Sequence, residues 1–144
     1  MRRILVLIAG LIATAAVAAP AIAANPHFIG TPSISQQGNS LVVSFKAAGL
    51  GNAPEATFSL NGTVDVSSRC YTRSGNKPQA ANKQETIAVN STETFPVRNG
   101  QTTGSFTITP LSTLTCPPGQ IVVIESIAYD LTLSGEGLTF HFVS

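Results

Sequence analysis

Cysteine is the most reactive residue type in this chain of 144 residues, and it occurs only at Cys70 and Cys116. A pair of cysteines can form a disulfide, bind a metal ion or supply a nucleophile. Neither thiol has a histidine beside it, and two thiolates alone make a poor zinc site. Because the amino terminus indicates export to an oxidising compartment, we predict a Cys70–Cys116 disulfide. Such a bond closes a loop of about 47 residues and adds about 4 kcal/mol of stability.

Histidine is equally scarce, since only His27 and His141 are present. A copper–zinc site needs several histidines. A Ser–His–acid triad would have to use His141, which lies on the polar face of the last predicted strand, and no Gly-x-Ser-x-Gly sequence is present to position its serine. No cluster of Asp and Asn has the spacing of a calcium loop. We therefore predict no catalytic residue, no metal site and no cofactor.

Three acidic residues lie within the two long predicted strands, residues 56–70 and 120–134. Asp65 and Asp130 fall on the faces opposite the apolar residues, so we expect both to be solvated. Glu125 falls where an apolar side chain is expected, which predicts a bulge or an edge position near it. If Glu125 is buried, its pKa must rise or it must pair, and Arg69 is the candidate partner. We favour a structural role for Glu125 over a functional one.

The polar segment from Thr72 to Gln84 is the best candidate for a binding surface, because long loops on a rigid sandwich commonly carry function. The alternative, which we favour, is a solvated connection held by Cys70. The side chains that could bind a ligand there are Arg73, Asn76, Lys77, Asn82 and Lys83.

The amino terminus has the three parts of a secretory signal peptide. Met1-Arg2-Arg3 is a short positive region, residues 4–19 are uncharged and apolar, and Pro20 precedes small residues. A membrane anchor is the alternative, but this apolar run is shorter than the ~20 residues of a spanning helix. We predict cleavage after Ala23 or Ala24, which makes residues 1–24 the signal peptide and residues 25–144 one secreted domain.

The mature domain is close to electrically neutral, with six Lys and Arg against seven Asp and Glu. It therefore lacks the basic field that binds nucleic acid or anionic lipid. No second long apolar run follows the signal peptide, so we expect no membrane span after cleavage.

The elements that must position these side chains are strands, because the mature chain is rich in Thr, Ser, Val, Asn and Gly and no window has a helical period. Residues 56–70 alternate throughout, with small or apolar residues at even positions. A hairpin turn at Asn61-Gly62 would pair Leu60 with Thr63 and put apolar residues on a polar face. We predict instead one long strand, or two collinear strands with a bulge at Gly62.

At Asn99-Gly100 the turn chemistry and the alternation agree, so we predict a hairpin of residues 93–98 with 101–109. A long strand over 120–134, a last strand from Leu138, and short strands near 32–36 and 85–90 bring the count to about eight. One face of the 120–134 strand is predicted to hold Ile121, Val123, Ile127, Tyr129, Leu131 and Leu133. Seven to nine such strands predict an all-β, antiparallel sandwich.

Five strings in this order carry a resemblance: Ala48-Gly49-Leu50-Gly51-Asn52; Cys70-Tyr71 with Gly75-Asn76-Lys77-Pro78; Ala80-Ala81-Asn82-Lys83; Asn99-Gly100; and Cys116-Pro117-Pro118-Gly119-Gln120 followed by Tyr129. Together the strings resemble a group of small secreted bacterial proteins, frequent in actinobacteria, with no assigned function. The resemblance covers nearly all of residues 40–133. It implies an immunoglobulin-like sandwich and a Cys70–Cys116 bond, and it implies no activity.

These features favour a secreted, non-catalytic protein that binds or assembles with other proteins in the medium or at the cell wall. Aromatic side chains are too few for a stacking carbohydrate site, with no Trp and with Tyr only at 71 and 129. A small hydrolase or metal enzyme is the alternative, and it requires ionisable side chains that converge in a concave pocket. A free strand edge would favour protein binding, because exposed edges recruit partners.

Overall fold

The computed structural model of the protein describes residues 25–74 and 76–144. The predicted signal peptide and its cleavage site lie outside these residues. The described chain forms two antiparallel sheets packed face to face, which confirms the all-β sandwich. Within the same ranges, no helix has the length and apolar character needed to cross a membrane.

Eight strands make up the two sheets of the described chain. In chain order they are β1 (His27–Phe28), β2 (Ser33–Gln37), β3 (Ser40–Ala48), β4 (Glu55–Thr72), β5 (Pro78–Pro96), β6 (Thr102–Ile108), β7 (Gln120–Gly135) and β8 (Leu138–Val143). The number matches the predicted count of about eight, but the predicted strands 85–90 and 93–98 form one continuous strand, and the short strand at 27–28 was not predicted.

The first sheet is built around β3. One edge of β3 pairs with β6, and the other edge pairs with β2 near its start and with β1 at its end. The second sheet has the order β5-β4-β7-β8 and contains the three longest strands. The chain therefore crosses between the sheets three times: from β3 to β4, from β5 to β6 and from β6 to β7.

Four phenylalanines, two from each sheet, join the sheets at the centre of the core. Phe45 of β3 lies 4.6 Å from Phe58 of β4 and 5.4 Å from Phe95 of β5, measured between ring centroids. Phe106 of β6 lies 5.6 Å from Phe95 in an edge-to-face arrangement. Edge-to-face pairs of this kind stabilise a core by about 0.5–1.5 kcal/mol beyond the area they bury.

The predicted continuity of the chain at Asn61-Gly62 is confirmed, because β4 is one strand of 18 residues. Its even positions from Ala56 to Cys70 point into the core, apart from half-buried Gly62. No bulge occurs at Gly62, which lies opposite Val89 of β5 and Leu131 of β7 in unbroken register. Glycine is required here for another reason: a Cβ would lie 2.0 Å from the Asp130 carbonyl oxygen, at a backbone φ of +146°.

The predicted hairpin of 93–98 with 101–109 is wrong beyond its turn. Asn99 and Gly100 have positive φ angles of 54° and 74°, as a type I′ turn requires, and Arg98 pairs with Gln101. The two strands then separate, because β5 pairs with β4 while β6 pairs with β3. The alternation correctly predicts that Phe95 and Phe106 both point into the core. They reach it from two different sheets, however, and not from one face of a hairpin.

A bulge in β7 confirms one prediction and corrects another. Ser67 lies opposite Ser126 and Ser68 opposite Ile124, so Glu125 is the extra residue. The extra residue changes which side of the sheet alternate side chains face. Val122 and Ile124 therefore share the inner face with Leu131 and Leu133, whereas Ile121 and Val123, which were predicted there, lie on the outer face.

We predict that Gly62→Ala destabilises the domain by about 3 kcal/mol or more, because the methyl group clashes with backbone that cannot move away. Gly38→Ala is the matched control, since Gly38 also has a positive φ (+60°) but has open space where the Cβ would lie. We expect the control to cost about 1 kcal/mol. Urea unfolding of both variants measures the difference, and equal losses would contradict the close approach at Gly62.

Candidate functional site

The segment from Thr72 to Gln84, predicted as a long polar loop, is not a loop. β4 continues to Thr72 and β5 begins at Pro78, so only a short turn separates them. Arg73 and Lys77 lie in this turn, where their backbone N–H groups donate to the Gly119 carbonyl and the Thr72 hydroxyl. Asn76 is also in the turn, with a φ of 46°.

The last two of the five candidate binding residues, Asn82 and Lys83, lie within β5. Asn82 donates to the Ala80 carbonyl, and Lys83 donates to Thr113. The five side chains therefore divide between a turn and a strand, and no hydrogen bond joins any two of them in the described part of the chain. The polar composition of this region reflects an exposed edge strand rather than a loop.

The predicted disulfide is present. Cys70, at the end of β4, is bonded to Cys116 with 5.7 Å between their Cα atoms and a sequence separation of 46. Cys116 belongs to residues 109–119, the irregular connection from β6 to β7, which we call the 109–119 segment. The bond therefore holds this segment against the inner face of the second sheet, because Cys70 points into the core and is fully buried.

Glu85 fixes the same segment at a second point, and nothing in the sequence pattern singled it out. Its carboxylate accepts hydrogen bonds from the backbone N–H and the hydroxyl of Thr113 and from the hydroxyl of Ser112. Only 13% of the Glu85 side chain is exposed, and Lys83 lies 3.6 Å away. The Thr113 hydrogen bonds, aided by Ser112 and Lys83, hold the pKa of Glu85 below its ordinary value.

Arg69, Tyr71 and Glu125 form a second polar cluster, on the outer face of the second sheet. The Arg69 Nε atom lies 2.9 Å from Glu125 Oε1, which confirms the predicted pair. The Tyr71 hydroxyl donates to the same oxygen at 2.9 Å, and this bond raises the pKa of Tyr71. About a third of each charged side chain is exposed, so Glu125 is paired at the surface rather than buried.

The remaining acids pair separately. Asp65 accepts from the Thr86 hydroxyl at 2.6 Å, and Asp130 lies 2.5 Å from His141 Nε2, with both pairs exposed on the outer face as predicted. Across residues 25–74 and 76–144, no three His, Cys, Asp or Glu side chains are grouped as metal ligands. The described side chains capable of acid–base chemistry are therefore spread over several surface pairs.

The most distinctive surface of the described chain is an open side of the sandwich, between the edge strands β5 and β6. A groove of about 560 Å³ lies there. It is walled by the inner side of β5, the end of β6 and the start of the 109–119 segment. Its apolar lining includes Ile87, Val89, Ile108, Pro110 and Leu111. Leu111 is 75% exposed. We call this feature the lateral groove.

Within residues 25–74 and 76–144, no strand pairs with the backbone of β5 along the side that faces away from β4. β5 has 19 residues, and β4 is its only strand partner among the described residues. Proteins commonly protect such edges with lysine, proline or bulges. β5 has Pro78 and Pro96 at its two ends, but residues 86–92 carry neither charge nor proline. The middle of β5 is thus an unprotected edge directly beside the lateral groove.

This site could not be predicted from the sequence, because β5 lacks a clear alternation of apolar and polar residues. On its inner side, Ile87 and Val89 stand between Glu85 and Ser91, so the apolar signal is only two residues long. The uncharged run from 86 to 92, which includes Thr86, Ile87 and Val89, gave the strand predicted near 85–90 but did not reveal that this strand lies at an edge. No protein-family model and no curated protein matches this chain.

We predict that the double variant Cys70→Ser/Cys116→Ser loses about 4 kcal/mol of unfolding free energy, because its unfolded chain is no longer cross-linked. Urea unfolding measures the loss, and reduced wild-type protein serves as the control with the same expected stability. Finding two titratable thiols in the native protein would contradict the bond.

Acid should loosen the attachment of the 109–119 segment at Glu85, while the Cys70–Cys116 bond remains. The folded-state pKa of Glu85 is depressed, so its contribution to stability is complete above the ordinary pKa of 4.5 and is lost as the pH falls through the folded-state value. We expect the exchange of the Thr113 amide to accelerate with acid, relative to its intrinsic rate, in the wild type. In Glu85→Ala, which has no side-chain acceptor, it should already be fast at neutral pH and should gain no further acid dependence. Equal protection of this amide in the two proteins would contradict the anchor.

Proposed function

We propose that the mature domain is a secreted, non-catalytic protein-binding module. A partner strand adds to the free edge of β5 and places side chains in the lateral groove. The observation that carries this proposal is the position of an uncharged strand edge directly beside an apolar groove. Strand addition uses both, since backbone hydrogen bonds supply affinity and adjoining pockets select the side chains of the added strand.

The groove has the composition expected of a contact surface. Leu111 projects into solvent beside Ile87 and Val89, so an added strand would cover apolar side chains as well as backbone groups. Burying apolar surface favours binding by roughly 25 cal/mol per Å² before the costs of association.

The groove is also held in shape before a partner arrives. The Cys70–Cys116 bond and the hydrogen bonds of Glu85 fix the 109–119 segment, which forms one wall. A preformed wall lowers the ordering cost of binding.

Export fits this role. The amino-terminal pattern of a signal peptide and the disulfide are both compatible with an oxidising compartment outside the cell. We also assign the sandwich to the immunoglobulin-like class, since its three sheet-to-sheet crossings resemble the Greek-key connections of that class. Its disulfide differs, because it joins β4 to a connection rather than one sheet to the other.

The test is capture of proteins from the medium and cell wall of the native culture on immobilised mature domain. We predict that Leu111→Asp reduces capture at least about tenfold, since a carboxylate in the groove must be desolvated on binding. Val143→Asp is the matched control, because Val143 is also an exposed aliphatic residue, 61% accessible, but lies on β8 at the opposite edge of the second sheet. Equal capture by the wild type and Leu111→Asp would overturn the proposal.

A further inference from the structure

We infer that the strand added to β5 is β5 of a second copy of this chain, an inference that rests on the proposed function. The two copies would be related by a twofold axis perpendicular to the second sheet and centred on Ala88. Such an axis makes the two β5 strands antiparallel and joins the two four-stranded sheets edge to edge. Interfaces between identical chains commonly use one surface patch twice in this way.

The charges of β5 select this centre. Pairing about Ala88 places Lys83 of each copy opposite Glu93 of the other, which gives two opposite-charge pairs. Both residues lie on the inner side of β5, since they are opposite Ser68 and Phe58 of β4. Residues directly opposite in an antiparallel pair point to the same face, and opposite charges there are stabilising. Glu93 is exposed and forms no other ion pair or hydrogen bond among the described residues.

Neighbouring centres are less favourable. A shift of the axis by one residue to Val89 sets Glu85 opposite Glu93, and like charges in that position repel. A shift by one residue the other way, to Ile87, sets Glu85 opposite Val89 and leaves Lys83 opposite uncharged Ser91. Ala88 is thus the central position that sets Lys83 opposite Glu93. Lys83 also lies 3.6 Å from Glu85 of its own copy, so in the pair of copies it would lie between two carboxylates.

The apolar side chains support the same centre. Pairing about Ala88 puts Ile87 of each copy opposite Val89 of the other, both on the inner side. The two lateral grooves then lie on either side of the junction, so Leu111 of both copies borders one shared apolar patch. A second copy would therefore cover Leu111, which at 75% is the most exposed large hydrophobic residue among the described residues.

The test is sedimentation of the mature domain over a range of concentrations, with two charge-reversal variants. Glu93→Lys and Lys83→Glu each turn both attractive pairs into repulsive ones, so each should weaken self-association about tenfold or more. An equimolar mixture of the two variants should restore association, because each mixed pair again joins a lysine to a glutamate. Thr139→Lys is the control, since Thr139 is exposed on β8 at the opposite edge of the second sheet and should leave association unchanged.

Thermal melting of each variant alone shows that it is folded, and restored association in the mixture requires folded partners. A wild type that stays monomeric at all concentrations would overturn this inference. The proposed function would still stand in that case if the domain captures another protein in a manner that Leu111→Asp abolishes. Self-association that neither charge reversal weakens would also overturn the β5 register.

Discussion

The two-sided pairing of β4 is the constraint on which the rest of the structure depends. β4 pairs with β5 on one edge and with β7 on the other over nearly all of its 18 residues. Its even side chains can point to the core only while both registers are kept. Gly62 permits this, because at that point the backbone of β7 comes too close for any side chain. One uninterrupted strand thereby fixes the positions of its two long neighbours.

The length of these strands creates the need for the 109–119 segment. β4, β5 and β7 extend beyond the strands of the first sheet, so part of their inner face has no opposing strand. The 109–119 segment covers that part, fixed by Cys116 to β4 and by Thr113 to Glu85 on β5. Because the segment covers the face but does not pair with the edge, β5 keeps a free backbone beside an apolar groove.

The predictable part of this fold was the part governed by alternation and by local charge. The long strand through Asn61-Gly62 followed from the alternation of side chains, and the bulge near Glu125 followed from a break in that alternation. The disulfide followed from the number of cysteines and the predicted export, and Arg69 was the candidate partner of a buried Glu125. The path of β6 could not be predicted, because the chain near Asn99-Gly100 satisfies a hairpin locally while its partners are set by distant strands.

Most of the candidate site could not be derived from the sequence. β5 is exposed on one face and at one edge, so its residues show little apolar periodicity, and its first part, residues 78–84, was predicted as a loop. The role of Glu85 could not be predicted for a related reason: it depends on Ser112 and Thr113, which are 27 and 28 residues away along the chain.

We propose that the free edge of β5 binds β5 of a second copy. Amide hydrogen exchange of the mature domain, measured at low and high protein concentration, tests this claim most directly. We predict that amides in the middle of β5 that face away from β4 exchange rapidly in dilute solution and slow down as the concentration rises. Amides of β4 should be protected equally at both concentrations. Exchange in β5 that does not depend on concentration would contradict the account.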